Sequence, residues 1–177
     1  MSNLVVNKRQ FLQETMNKDV RIQTGGLELI DRVQPLWEKL KCHHLEMAGA
    51  LAGGITGWDF QARKEGLQAK GCSHFIELAT DKQNCHDVLG YCISTIDHAG
   101  MGEIDSVYIA ECHRRRGLAT ALIQRALAWM DREAVQGRRV SVMAMNEPAR
   151  KLYEHFGFVI RLLEMEVPSE QSHGKST

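Results

Sequence analysis

The chain has 177 residues, 44% hydrophobic and 25% charged, an ordinary composition for one folded domain with its own core. Its 22 Lys+Arg balance 22 Asp+Glu for a formal net charge of +0, so no global field favours nucleic acid or an anionic membrane. The 5 cysteines (Cys42, Cys72, Cys85, Cys92 and Cys112) are odd in number and form no C-x-x-C; they read as reduced thiols in a cytoplasmic protein, and no apolar run has signal-peptide or membrane-spanning length.

Residues 1–18 read as a polar arm in which Phe11, Leu12 and Met16 can share a helical face. Val20 to Thr24 alternates like a strand and stops at Gly25-Gly26. A long helical pattern follows through Leu27, Ile30, Val33, Leu36 or Trp37, Leu40 and Leu45, with Pro35 predicting a kink or two joined helices. Residues 48–57, AGALAGGITG, match no phosphate-loop fingerprint and read as a flexible loop, a candidate substrate lid. Trp58-Asp59-Phe60 opens a second helix to about Lys70. Strands over Ser73 to Thr80, Val88 to Ile96 and Ile104 to Ile109, joined by polar turns, predict an antiparallel meander.

The third of these strands breaks at Glu111-Cys112-His113, and Arg114, Arg115, Arg116 and Gly117 follow. From Leu118 the apolar period becomes helical: Leu118, Leu122, Ala126, Trp129, Met130. A helix start leaves backbone N–H groups unpartnered and partly positive. Small residues at Gly117 and Ala119 let an anion approach them, and the arginines add full charge, so the unit reads either as a phosphate site or as a tight strand-to-helix turn. Gln136-Gly137 stops the helix; Val140 to Met145 is the next predicted strand, parallel to Ile104 to Ile109 because a helical crossover joins them. Asn146 caps a helix from Ala149 to Phe156 that ends at Gly157, and Phe158 to Val167 is the last predicted strand. The expected organisation is an arm over 1–18, one domain over 19–167 and a polar tail over 168–177. The closing Gly174-Lys175-Ser176-Thr177 echoes a P-loop but lacks its first glycine and any following helix.

Arg114-x-x-Gly117-x-Ala119 resembles the Q/R-x-x-G-x-G/A signature of the GCN5-related N-acetyltransferase (GNAT) superfamily. Asn146-x-x-Ala149-x-x-Leu152-Tyr153-x-x-x-Gly157-Phe158 resembles its second hallmark. The resemblance is specific over residues 88–167. It implies an α/β (α+β) fold: a central mixed, mostly antiparallel sheet with splayed parallel strands and helices on both faces. It further implies acetyl-CoA as cosubstrate, held through its pyrophosphate by the loop Arg114, Arg115, Arg116, Gly117, Leu118, Ala119 and Thr120. The pantetheine would run along Val107, Tyr108 and Ile109, beside Asn146.

The implied activity is N-acetylation of a small-molecule or peptide amine by direct attack; the alternative is an inactive acyl-CoA-binding sensor. Tyr153 stands where the family keeps the acid that protonates the leaving thiolate, or it packs on the cofactor. Glu103 stands where histone acetyltransferases of the superfamily keep their base, or it is a solvated strand-end carboxylate; Asp105 is a second candidate. His43 and His44 border the presumed acceptor region as substrate contacts, proton relays or a helix-end pair. Their spacing with Cys42, Cys85 and His86 fits no standard zinc pattern, so no metal is expected. Superfamily members are often homodimers.

Overall fold

The computed structural model describes residues 19–69 and 73–167. The expected arm, the start of the second strand run at Gly71, Cys72 and the polar tail lie outside the described residues. β1 (Val20–Gly25), β2 (Ser73–Asp81), β3 (Val88–Ile96), β4 (Met101–Ile109) and β5 (Gly137–Val140) form a five-stranded sheet in the order β1-β2-β3-β4-β5. The first three pairings are antiparallel and β4 pairs parallel with β5. The meander and the parallel crossover are as the turn lengths and the intervening helix predicted.

Helices cover both faces. On one face a 3-10 turn (Leu27–Leu29), helix α1 (Ile30–Ala48) and helix α3 (Phe60–Ala69) bury Val33, Leu36, Trp37, Phe60 and Leu67 against Ile76, Leu78, Tyr91, Ile93 and Tyr108. On the other, helix α4 (Leu118–Arg132) packs Leu118, Leu122, Ile123, Ala126 and Met130 on Cys92, Ile104 and Ile109, together with Tyr153 of helix α5 (Glu147–His155). The α4 contacts recur at the helical period read from the sequence. Phe75 of β2 stacks on Trp129 of α4 at 5.0 Å between centroids.

Several elements depart from the sequence reading. Pro35 lies inside α1, which continues through it as one 19-residue helix rather than two joined ones; the proline removes a single ladder bond, and the packing of Trp37 and Leu36 on the sheet carries the helix past it. Residues 48–57 are not a loop but a 3-10 turn (Gly49–Leu51) and one helical turn, α2 (Gly53–Thr56). Ile55 is buried there, so an apolar anchor outweighs the low propensity of the glycines. The strand expected over Val140 to Met145 forms earlier, over Gly137–Val140. Its ladder is made by backbone, and Arg138 and Arg139 hold it from the side through ion pairs to Asp131 and Glu103. Phe158 to Val167 forms no strand: Phe158 packs against the core, and the apolar side chains beyond it stand in solvent.

Candidate active site

The β4–β5 ladder runs from Met101↔Gly137 to Ile104↔Val140 and ends there, although β4 continues to Ile109. Past Val140 the two segments separate, and a cleft of about 770 Å³ opens between them. Its walls include Ile104, Asp105, Ser106 and Val107 from β4, Val140 to Met143 past β5, and Asn146, Ala149 and Tyr153 around α5. The far side is closed by Trp37, His44, Trp58, Asp59 and Arg63 from the α1–α3 face.

A β-bulge sets the cleft's floor. Ile93 pairs with Ser106 and Ser94 with Ile104, so Asp105 is an extra residue in β4. A bulge re-aims side chains by one position. Ile104 and Val107 therefore both face α4, while Ser106 and Tyr108 turn toward α1, where the Ser106 hydroxyl bonds that of Tyr91 at 2.7 Å. Regular alternation alone would not have found this.

At the start of α4, Gly117 is the N-cap residue with φ 79°, in the left-handed region that a side chain disfavours. Arg115 at φ 58° shares that conformation. The cap supplies no side-chain hydrogen bond, and the first intrahelical bond runs from Ala121 N to Gly117 O at 3.0 Å. The first-turn N–H groups of Leu118, Ala119 and Thr120 thus have no partner four residues back. The three arginines divide. Arg114 is held by the fold: its Nε donates to Ile109 O at 3.1 Å and its guanidinium lies 5.2 Å from the Tyr108 ring centroid. Arg115 and Arg116 are exposed, with Arg116 within 3.2 Å of His113 Nδ1. The loop fits a diphosphate: backbone donors, an open cap and two exposed cations.

Tyr153 is buried at the cleft wall with its ring against Phe158 at 5.8 Å. Burial pushes its phenol well above the usual 10. Asn146 caps α5, its Oδ1 accepting from Ala149 N at 3.2 Å. Glu103 is not among the residues that line the cleft and accepts two hydrogen bonds from Arg139, at 3.0 and 3.1 Å. Asp105 does line the cleft and is ion-paired with Arg63 of α3. His44 lines it too, edge-on to Trp58 at 5.6 Å. Burial first, and the neighbouring His43 second, hold the His44 imidazole below its usual 6.5, so it is neutral at pH 7; His43 is not part of the lining.

The structure thus gathers Asp105, Val107, Asn146, Tyr153 and His44 around one cleft, puts the Arg114–Thr120 loop at the end of the strand that floors it, and leaves Glu103 engaged elsewhere. Arg63, Asp59 and Trp58 escaped the sequence reading, for nothing in FQARKEGLQA distinguishes it from a plain surface helix. The one available signal was Asp59, an acceptable N-cap, whose Oδ1 indeed accepts from Ala62 N at 2.8 Å. Among the described residues no group of three or more His, Cys, Asp or Glu is placed to hold a metal ion, and no helix is long and apolar enough to cross a membrane.

The model of the Acetyltransferase (GNAT) family matches residues 37–158. No curated protein sequence matches the chain. Among solved structures, a mutant BH1408 protein from Bacillus halodurans superposes with a TM-score of 0.64 at 13% identity, covering 84% of this chain and 99% of that one. Ribosomal-protein-alanine N-acetyltransferase from Brucella melitensis biovar Abortus 2308 gives 0.56 at 19% identity, covering 84% and 97%. AAC(6')-Iy, solved with the bisubstrate analog CoA-S-monomethyl-acetylneamine, gives 0.59 at 14% identity, covering 84% and 97%. At these identities the likeness is one of fold.

Proposed function

The chain belongs to the GNAT acetyltransferase family, and from that premise we propose that it transfers an acetyl group from acetyl-CoA to a primary amine by direct attack in a ternary complex. One observation carries the reading: the β4–β5 ladder stops at Ile104 and Val140, so a cleft walled by Tyr153 opens between β4 and the segment past β5, on the strand that leads into the open first turn of α4. A solved structure of the same fold holds a CoA-linked bisubstrate analog, which supports the choice of cosubstrate.

Acetyl-CoA supplies the electrophilic thioester. The N–H groups of Leu118, Ala119 and Thr120, with Arg115 and Arg116, would hold its diphosphate. Backbone groups of Val107 and Ile109, on the edge that β5 leaves open, would hold the pantetheine, and a backbone N–H near Val107 would polarise the acyl oxygen. The attacking amine must lose a proton. His44, neutral and in the cleft, is the base that best meets this need; Asp105 is occupied by Arg63, and Glu103 by Arg139. Tyr153 would protonate the departing thiolate. Its raised pKa keeps the phenol protonated across the working range, a weak acid but always a loaded one.

Two measurements test the proposal. Calorimetric titration with coenzyme A should show binding, and thiol release from acetyl-CoA should appear with some member of an amine panel. Binding without turnover on any amine would move the chain to the sensor reading. Tyr153→Phe should lower kcat by roughly 100-fold or more, within the range of general-acid contributions, with coenzyme A affinity nearly unchanged. Wild-type kcat should show no alkaline decline from this phenol up to pH 10, its unshifted value. A Phe variant with full kcat would remove Tyr153 from the chemistry.

A further inference from the structure

The cleft contains an ion pair that acetyl transfer itself does not require. Arg63 of α3 reaches across to Asp105 of the β4 bulge, and the two side chains are 26% and 8% exposed. The Arg63 Nε is buried and meets no hydrogen-bond acceptor among the described residues. Asp59, Arg63 and Asp105 are the only charged side chains lining the cleft among those described, and one Asp59 oxygen serves as the α3 cap. The rest of the acceptor side is apolar or aromatic: Trp37, Leu40, Trp58 and Leu67.

We propose that the acceptor is a free α-amino acid with an apolar side chain, its ammonium received by Asp105 and its carboxylate by Arg63. The inference rests on the transferase reading and narrows its substrate. A zwitterion carries both charges on one carbon. Entering between Arg63 and Asp105, it replaces one half-buried pair by two charge-assisted contacts and leaves the charge of the cleft unchanged. Its carboxylate also gives the idle Arg63 Nε an acceptor, forming the forked contact that guanidinium geometry favours. An amine without a carboxylate must instead take Asp105 from Arg63 and leave a half-buried guanidinium without its carboxylate, which is unfavourable. A polycationic amine meets a single net negative charge, Asp59 and Asp105 against Arg63, too little to pair with several ammonium groups at once. The indoles and leucines supply the surface for an apolar side chain.

The test compares L-phenylalanine, L-leucine, L-phenylalaninamide, phenethylamine and kanamycin in the thiol-release assay. Turnover per unit KM should favour L-phenylalanine over phenethylamine by about 100-fold or more, since a site built around a polar substrate group rejects the analogue lacking it. Arg63→Gln should collapse that ratio toward unity by raising KM for the amino acid, and Arg63→Lys should restore part of it. Titration of L-phenylalanine and phenethylamine into the wild-type protein saturated with coenzyme A gives the same comparison without turnover or mutation. Selective binding of the amino acid supports the inference even where no acetyl transfer occurs, an outcome that sinks the transferase reading alone. Turnover that ignores the carboxylate, or favours phenethylamine or kanamycin, overturns the inference and leaves the transferase reading standing. Absence of both binding and turnover with the amino acids overturns it as well.

Discussion

Glu77 shows how burial and pairing compete at a single side chain. It lies with no exposed surface on the α4 face of β2; its Oε1 accepts from Arg125 Nε and, at 3.3 Å, from Thr24, while its Oε2 is buried without a partner. Burial raises its pKa above 4.5, and the Arg125 contact only partly opposes this because that side chain is half exposed. A carboxyl raised on folding stabilises the fold below its unfolded pKa and loses that contribution as pH climbs through the folded value. Glu77→Gln should therefore match the wild type below pH 4.5, the unshifted value, and exceed it by up to about 1 kcal/mol near pH 8, measured by urea unfolding. A variant less stable at the higher pH would show that the ion pair wins. The sequence could not expose Glu77, for SHFIELAT reads as a strand whichever face its glutamate takes, whereas Gly117 and Tyr153 were legible because their spacing is local.

Among the elements, the two helix starts were read correctly from local chemistry and β5 was not. Gly117 before α4, and Asn146 and Gly157 around α5, act within a few residues of themselves. β5 depends on a partner more than 30 positions away, and its apolar stretch proved to line the cleft rather than the ladder. Gly117→Val places a β-branched residue at φ 79°, so the loop must reshape. Coenzyme A affinity should fall by roughly tenfold or more by calorimetry, and an unaltered affinity would displace the diphosphate from this turn. Asn146→Ala removes the α5 cap and should lower stability by about 1 kcal/mol in denaturant unfolding; no loss would mean that another group caps Ala149.

At the scale of the molecule, the layered sheet and its crossover followed from the order of elements, but the cleft did not, because it exists where a ladder stops and a bulge turns β4. The end of the chain also defied its pattern. Val159, Ile160, Leu162, Leu163, Met165 and Val167 are between 66% and 90% exposed in the single chain. Replacing Ile160, Leu162 and Leu163 with serine should shift unfolding free energy by no more than about 0.5 kcal/mol, as for other surface changes. A drop of several kcal/mol in thermal or denaturant unfolding would show that those side chains are covered in solution. The short β4–β5 seam has a mechanical consequence. Four residue pairs fasten β5 to its neighbour, and α5 follows that clasp in the chain, so Tyr153 owes its place to its burial in the α4-side core rather than to the ladder. Loosening of that seam would change the width of the gap between β4 and the segment past β5, whereas the pairings among β1 to β4 run over six or more residues each.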